Sequence, residues 1–184
     1  MMPKPAQLRR LSVPQTIALV MGAVLALWAV TVVLVYAQST GDKLTWGTDY
    51  ATWPLASGDL LSPSHAGRFY RVYGNTRETA KVFRFNGERL RYRDGTGTAK
   101  FPSGAVLAME TFDRTADNKL GAKGPIFFMR KESAGYDPDG GDWRYGMMDT
   151  KGVALADGKD GHSTECRNCH AAAKDRDFVF AKDR

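Results

Sequence analysis

At 184 residues the chain is long enough for one domain with a substantial core, plus an appendage. Its net charge of +6 is unevenly placed: Lys4, Arg9 and Arg10 carry three of those charges in the first 37 residues, which contain no acid. Basic pairs such as Arg9-Arg10 and Arg130-Lys131 are short and lack interleaved aromatic residues, so nothing supports binding of nucleic acid.

From Leu11 to Thr40 no residue is charged, and the 20 residues Ile17 to Tyr36 are almost purely apolar. As a helix they would span about 30 Å, the hydrocarbon thickness of a bilayer. Residues 1–37 therefore read as a signal or membrane anchor, with a transmembrane helix over about 14–37. The preceding positive charges keep the N-terminus cytoplasmic and send the remainder across. The expectation is a single-pass protein of a bacterial-type inner membrane with its domain in the periplasm. A cleavable leader ending at Val35-Tyr36-Ala37 is the competing reading, although the apolar run exceeds the roughly 7–15 residues of a leader's core.

Residues 38–48 read as a polar linker and 49–184 as the exported domain. Asp49 to Leu55 suits a short helix. Strands are expected at Arg68–Tyr73, Gly104–Phe112, Pro125–Arg130 and Trp143–Met148, where aromatic and β-branched residues run between turn signals. A helix should open near Asn75-Thr76-Arg77-Glu78. A second should cover Thr164–Lys174, capped by Ser163 or Thr164, and a last short strand should hold Phe178-Val179-Phe180. The order of elements implies an α+β fold with a mainly antiparallel sheet, a few helices and a C-terminal helix.

That last helix carries the strongest motif, Cys166-Arg167-Asn168-Cys169-His170, and the chain has no other cysteine. Two thiols one helical turn apart, followed by an imidazole, suit c-type haem: Cys166 and Cys169 form thioethers and His170 is the proximal iron ligand. Zinc is the rival, because His162, Cys166, Cys169 and His170 supply four possible ligands within nine residues. Closing adjacent Cys169 and His170 on one tetrahedral ion strains the backbone, and export favours haem. One haem c is therefore the expected cofactor. His162 reads as an exposed residue and His65, near Pro63, as a turn or packing histidine.

The late position of this motif, with Phe101-Pro102-Ser103-Gly104-Ala105-Val106, the Gly135-Tyr136-Asp137-Pro138 to Tyr145 block and Asp177-Phe178-Val179-Phe180, resembles the cytochrome P-460 and cytochrome c′-β family over roughly residues 45–184. The resemblance implies a mainly antiparallel β fold, often dimeric, with a histidine on one side of the iron and the other side open to small molecules such as nitric oxide. Members that oxidise hydroxylamine carry a lysine cross-linked to the porphyrin, directly before a glutamate. Here Met109 precedes Glu110, and Lys100 lies nine residues earlier. A thioether lacks the amine for that bond.

Met109 shares a strand face with Leu107 and Ala105, the face that should meet haem if the resemblance holds. Met109, Phe127 and Phe128 are the candidate distal-pocket residues, with Phe127 and Phe128 on opposite faces of their strand. Met109 is open to three roles: core packing, pocket lining or a sixth iron ligand. Arg130 and Lys131 are candidates for the haem propionates or for plain surface charge. Glu110, opposite Met109, should stay out of the pocket. Three functions follow as expectations: binding or detoxifying a diatomic such as nitric oxide, electron transfer through a six-coordinate haem with an undefined redox partner, or oxidation of a small nitrogen compound.

Overall fold

The computed structural model describes residues 43–95 and 100–181. The expected membrane helix over 14–37 lies outside them; among the described residues no helix is long and apolar enough to cross a membrane. Eight strands form: β1 (Leu60–Leu61), β2 (Phe69–Gly74), β3 (Phe83–Phe85), β4 (Leu90–Tyr92), β5 (Val106–Arg114), β6 (Leu120–Lys131), β7 (Trp143–Met148) and β8 (Ala154–Gly158). Helix α1 spans Arg77–Lys81 and α2 spans Ser163–His170. Six strands make one sheet in the order β1-β2-β5-β6-β7-β8, every pair antiparallel, and β3-β4 is a separate hairpin. The α+β expectation holds for this part of the chain.

The central sheet is covered on both sides, which explains why Val106 to Thr111 is buried almost without alternation. Register assigns the faces. Val72, Met109, Phe127 and Met147 lie in one row across β2, β5, β6 and β7, with Leu107, Met129 and Tyr145 in the next row on the same face. Over that second row pack Phe83, Tyr92, Phe101, Phe178 and Val179. The opposite face buries Ala108, Ile126, Phe128 and Met148 beneath Leu44 and Tyr50, with Trp46 edge-on to Phe128 at 5.7 Å. Leu44 is 2% exposed and Lys43 bridges to Val153, so residues 43–48, read as linker, pack on the sheet.

Local chemistry sets the turns. Thr76, in extended geometry, caps α1 by accepting the Thr79 backbone N–H. Gly74 has no side chain because a Cβ there would sit 2.5 Å from the Ala80 backbone nitrogen. β6 runs further than the expected Pro125–Arg130. It tolerates Pro125 because the register slips between Glu110 and Phe112, and Thr111 Oγ1 donates to the Pro125 carbonyl at 2.5 Å. No strand forms at Phe178-Val179-Phe180. Asp177 and Phe178 instead adopt left-handed φ values of 52° and 63°; Phe178 and Val179 plug the core and Phe180 is exposed.

Glu110 faces away from Met109, as alternation requires. Its carboxylate accepts from the Tyr50 hydroxyl at 2.9 Å and the Tyr73 hydroxyl at 3.0 Å, and pairs with Lys123 at 2.8 Å. Burial alone would raise this carboxyl, but Lys123, Tyr50 and Tyr73 together hold it below its ordinary value. A depressed folded-state carboxyl contributes stability above its unfolded pKa of about 4.3, and that contribution is lost as pH falls through the folded value. Glu110→Gln is expected to lower stability at pH 7 by about 1–3 kcal/mol and to flatten the fall below about pH 4.3. Urea unfolding from pH 7 to 3 checks both, and an unchanged acid slope contradicts the assignment.

Candidate functional site

Helix α2 lies against β7 and presents the cysteine-histidine motif beside the sheet face that carries Met109. Ser163, expected as a cap, is the first helical residue; the N-cap is His162, whose side chain makes no capping bond. The Ser163 hydroxyl instead donates to the Tyr145 carbonyl at 3.3 Å, fastening the helix to β7. The helix stops at His170 and continues as a tighter 3-10 stretch, Ala171–Arg176. Arg167, inside the motif, forms a two-pronged ion pair with buried Asp137, at 2.5 and 2.8 Å. The guanidinium holds that carboxyl below its usual range.

Cys166 is half-buried, Cys169 is exposed, and both thiols are free. Burial raises the Cys166 thiol. His170 Nδ1 lies 2.7 Å from the Phe178 carbonyl. A carbonyl only accepts, so Nδ1 carries the proton and Nε2 keeps its lone pair free, the tautomer of a metal-ligating imidazole. Burial pushes His170 below its ordinary pKa, against the opposing pull of that carbonyl. The neutral ring is flanked by Tyr145 at 5.4 Å and Phe180 at 5.3 Å.

The Phe178 carbonyl is aimed by its surroundings. Asp177 accepts from Lys131 Nζ at 2.6 Å and from the Phe101 backbone N–H at 2.8 Å, while its own carbonyl takes the Trp143 indole N–H at 2.8 Å. Tyr92 OH lies 2.7 Å from the Arg176 carbonyl and 2.9 Å from that of Val179. Gly141, at φ 67°, leaves room that any side chain would take from the Phe178 ring.

Several sequence readings change here. Met109 and Phe127 do meet, directly across β5 and β6, and both are half-buried. Phe128 does not join them: it points through the sheet into the opposite core, 5.8 Å from Tyr50, because successive strand residues alternate faces. Neither basic candidate is available for propionates. Arg130 pairs with Glu132 and lies over Trp46, while Lys131 is committed to Asp177. His162 is exposed and lines a surface hollow with Thr45 and Ala154. Sequence reasoning passed over Met147, level with Phe127, and Tyr145, level with Met129; the alternation Trp143-Tyr145-Met147 carried that signal. It also set aside His65, whose ring packs edge-on against Phe127 at 5.0 Å.

A family model for cytochrome P460 matches residues 47–181. The chain belongs to the cytochrome P460 family. Among curated proteins, none matches it. Membership makes it a haem-binding cytochrome, and the residues of this P460 domain fit the group. The imidazole of His170 has its lone pair free on Nε2. Beside it, the Tyr145 hydroxyl is buried without a hydrogen-bond partner among the described residues, and burial followed by the adjacent Cys166 raises its pKa, so it stays a protonated donor. A buried polar atom left unpaired in the bare polypeptide is what a bound group with acceptor atoms would satisfy.

Asp177→Ala should cost about 3–5 kcal/mol, because it strands the mostly buried Lys131 ammonium. Asp177→Asn, which tolerates the left-handed backbone and keeps an acceptor for Phe101, should cost less. Denaturant unfolding of both variants checks the order, and equal losses contradict it.

Proposed function

We propose that the protein is an exported monohaem c-type cytochrome that binds a small neutral diatomic, nitric oxide being the leading candidate. The observation that carries this reading is the pairing of a correctly tautomerised His170 with Cys166 one turn earlier and Cys169 directly before it, beside a sheet face floored by Val72, Met109, Phe127 and Met147. Cys166 and Cys169 would hold the haem as thioethers, each thiol adding across one vinyl group (sulfur to one carbon, hydrogen to the other) with no net oxidation. Haem iron, when bound, supplies the site that a diatomic occupies.

The polypeptide does the rest. His170 serves as the proximal ligand, and the Phe178 carbonyl fixes its tautomer and raises its basicity. Val72, Met109, Phe127 and Met147 offer no charge and no strong donor, so anions and water gain little beside them while neutral diatomics are admitted. Met109 stands where hydroxylamine-oxidising members would carry their cross-linking lysine, which argues against that chemistry. The apolar 17–36 segment supports tethering of the domain on the periplasmic side of the membrane.

The test is made on protein expressed with a c-type haem maturation system. Colour that resists acid-acetone extraction and a pyridine haemochrome spectrum of the two-thioether type are expected. Cys166→Ala should shift that spectrum to the one-thioether type, and extractable haem in the wild type contradicts covalent attachment. Ferrous protein should bind nitric oxide and carbon monoxide. Low-spin spectra in both oxidation states, indifferent to either gas, contradict the ligand-binding reading and favour electron transfer.

A further inference from the structure

His65 sits in the tight connection between β1 and β2. The Ser62 N–H donates to the Arg68 carbonyl at 2.9 Å, the Arg68 N–H to the His65 carbonyl at 3.2 Å, and Ala66 and Gly67 turn the chain at φ 57° and 65°. The loop thus holds one imidazole in a defined place. Its ring rests edge-on against Phe127, the aromatic in the row with Val72, Met109 and Met147. Burial is the main cause that pushes His65 down to about 4, so the ring is neutral at physiological pH.

Hydrogen-bond accounting then fixes the tautomer. Ser62 Oγ lies 2.8 Å from His65 Nδ1 and accepts, at 3.4 Å, from the His65 backbone N–H. The buried Ser62 hydroxyl has one proton to give, and among the described residues Nδ1 is the acceptor within reach. With Nδ1 receiving, the imidazole proton belongs on Nε2. No described residue accepts from that nitrogen. The two histidines are thereby set as opposites: His170 with a free lone pair on Nε2, His65 with an N–H.

We infer that His65 is the ligand-recognising donor of this site, held by Ser62 so that its Nε2–H hydrogen-bonds to a diatomic bound at the iron. The inference rests on the haem and gas-binding reading above and narrows its ligand class. An N–H donor favours diatomics whose outer atom gains negative charge on binding ferrous iron, nitric oxide and dioxygen, over carbon monoxide, whose outer atom gains little. On an otherwise apolar floor, His65 is the polar group that makes this distinction.

The experiment uses the haem-loaded full chain and its His65→Leu, His65→Gln and Ser62→Ala variants, with carbon monoxide as vibrational probe and nitric oxide for dissociation rates. His65→Leu should raise the C–O stretching frequency of the ferrous adduct and speed nitric oxide release by up to about tenfold. His65→Gln should recover part of both, and the coordination number of the unliganded ferrous protein should not change. Unchanged frequency and release rate in His65→Leu overturn the inference while leaving gas binding intact. A ferrous wild type that is six-coordinate and becomes five-coordinate in His65→Leu also overturns it, since His65 would then be an iron ligand. A haem-loaded wild type that binds neither gas sinks the broader reading and this one together. Should His65→Leu fail to load haem, Ser62→Ala decides: the same shifts in smaller measure are expected, and none overturns the assignment.

Discussion

The hydrogen bond between His170 Nδ1 and the Phe178 carbonyl, 2.7 Å long, is the contact on which the site depends. Without it the imidazole can hold its proton on either nitrogen, and the lone pair is no longer committed to Nε2. The bond exists because the chain reverses through two successive left-handed residues, Asp177 and Phe178, directly after the helical stretch that carries the motif. Such a reversal costs about 1–2 kcal/mol per non-glycine residue. The surroundings offset it: Asp177 is bonded through side chain and backbone to Lys131, Phe101 and Trp143, and Phe178 fills the core. The conformation that aims the carbonyl is thus held by the fold at large.

The sheet divides the labour between its faces. One side closes over Phe128, Tyr50 and Leu44 and contributes stability. The other is sealed at one end by the C-terminal segment and the β3-β4 hairpin, leaving Met109, Phe127 and Met147 half-buried at the other. Charged residues near this floor are tied off in pairs: Lys131 with Asp177 and Arg167 with Asp137. Among the described residues, the Tyr145 hydroxyl beside His170 and the Nε2 atoms of His65 and His170 have no protein hydrogen-bond partner.

Much of this was legible in the sequence. Trp143–Met148 was read to the residue, and β2, β5 and the core of β6 within a few positions, because each combines β-branched and aromatic residues with clear turn signals. The helix with its motif was legible from its spacing. β1, β3, β4 and β8 were not, being two to five residues long, with β3 and β4 also interrupted by charge, as in Phe83-Arg84-Phe85. Phe178-Val179-Phe180 looked like a strand because an apolar triplet does not reveal left-handed φ angles. Ser163 or Thr164 reads as a cap because a hydroxyl at a helix start normally serves as one, and the use of Ser163 as a tertiary bond to Tyr145 is invisible in one dimension. His65 escaped for a related reason: a lone histidine beside a proline carries no periodicity, and its meaning comes from Ser62 three residues back and Phe127 sixty-two residues on.

The most direct test of the account is the iron–imidazole stretching band of the ferrous haem-loaded protein, read by resonance Raman. The wild type should show a band for a neutral, hydrogen-bonded histidine, and His170→Gly should lose it and regain one when free imidazole is added. A His170→Gly spectrum identical to that of the wild type would contradict the account, because the iron would then be held by some other residue.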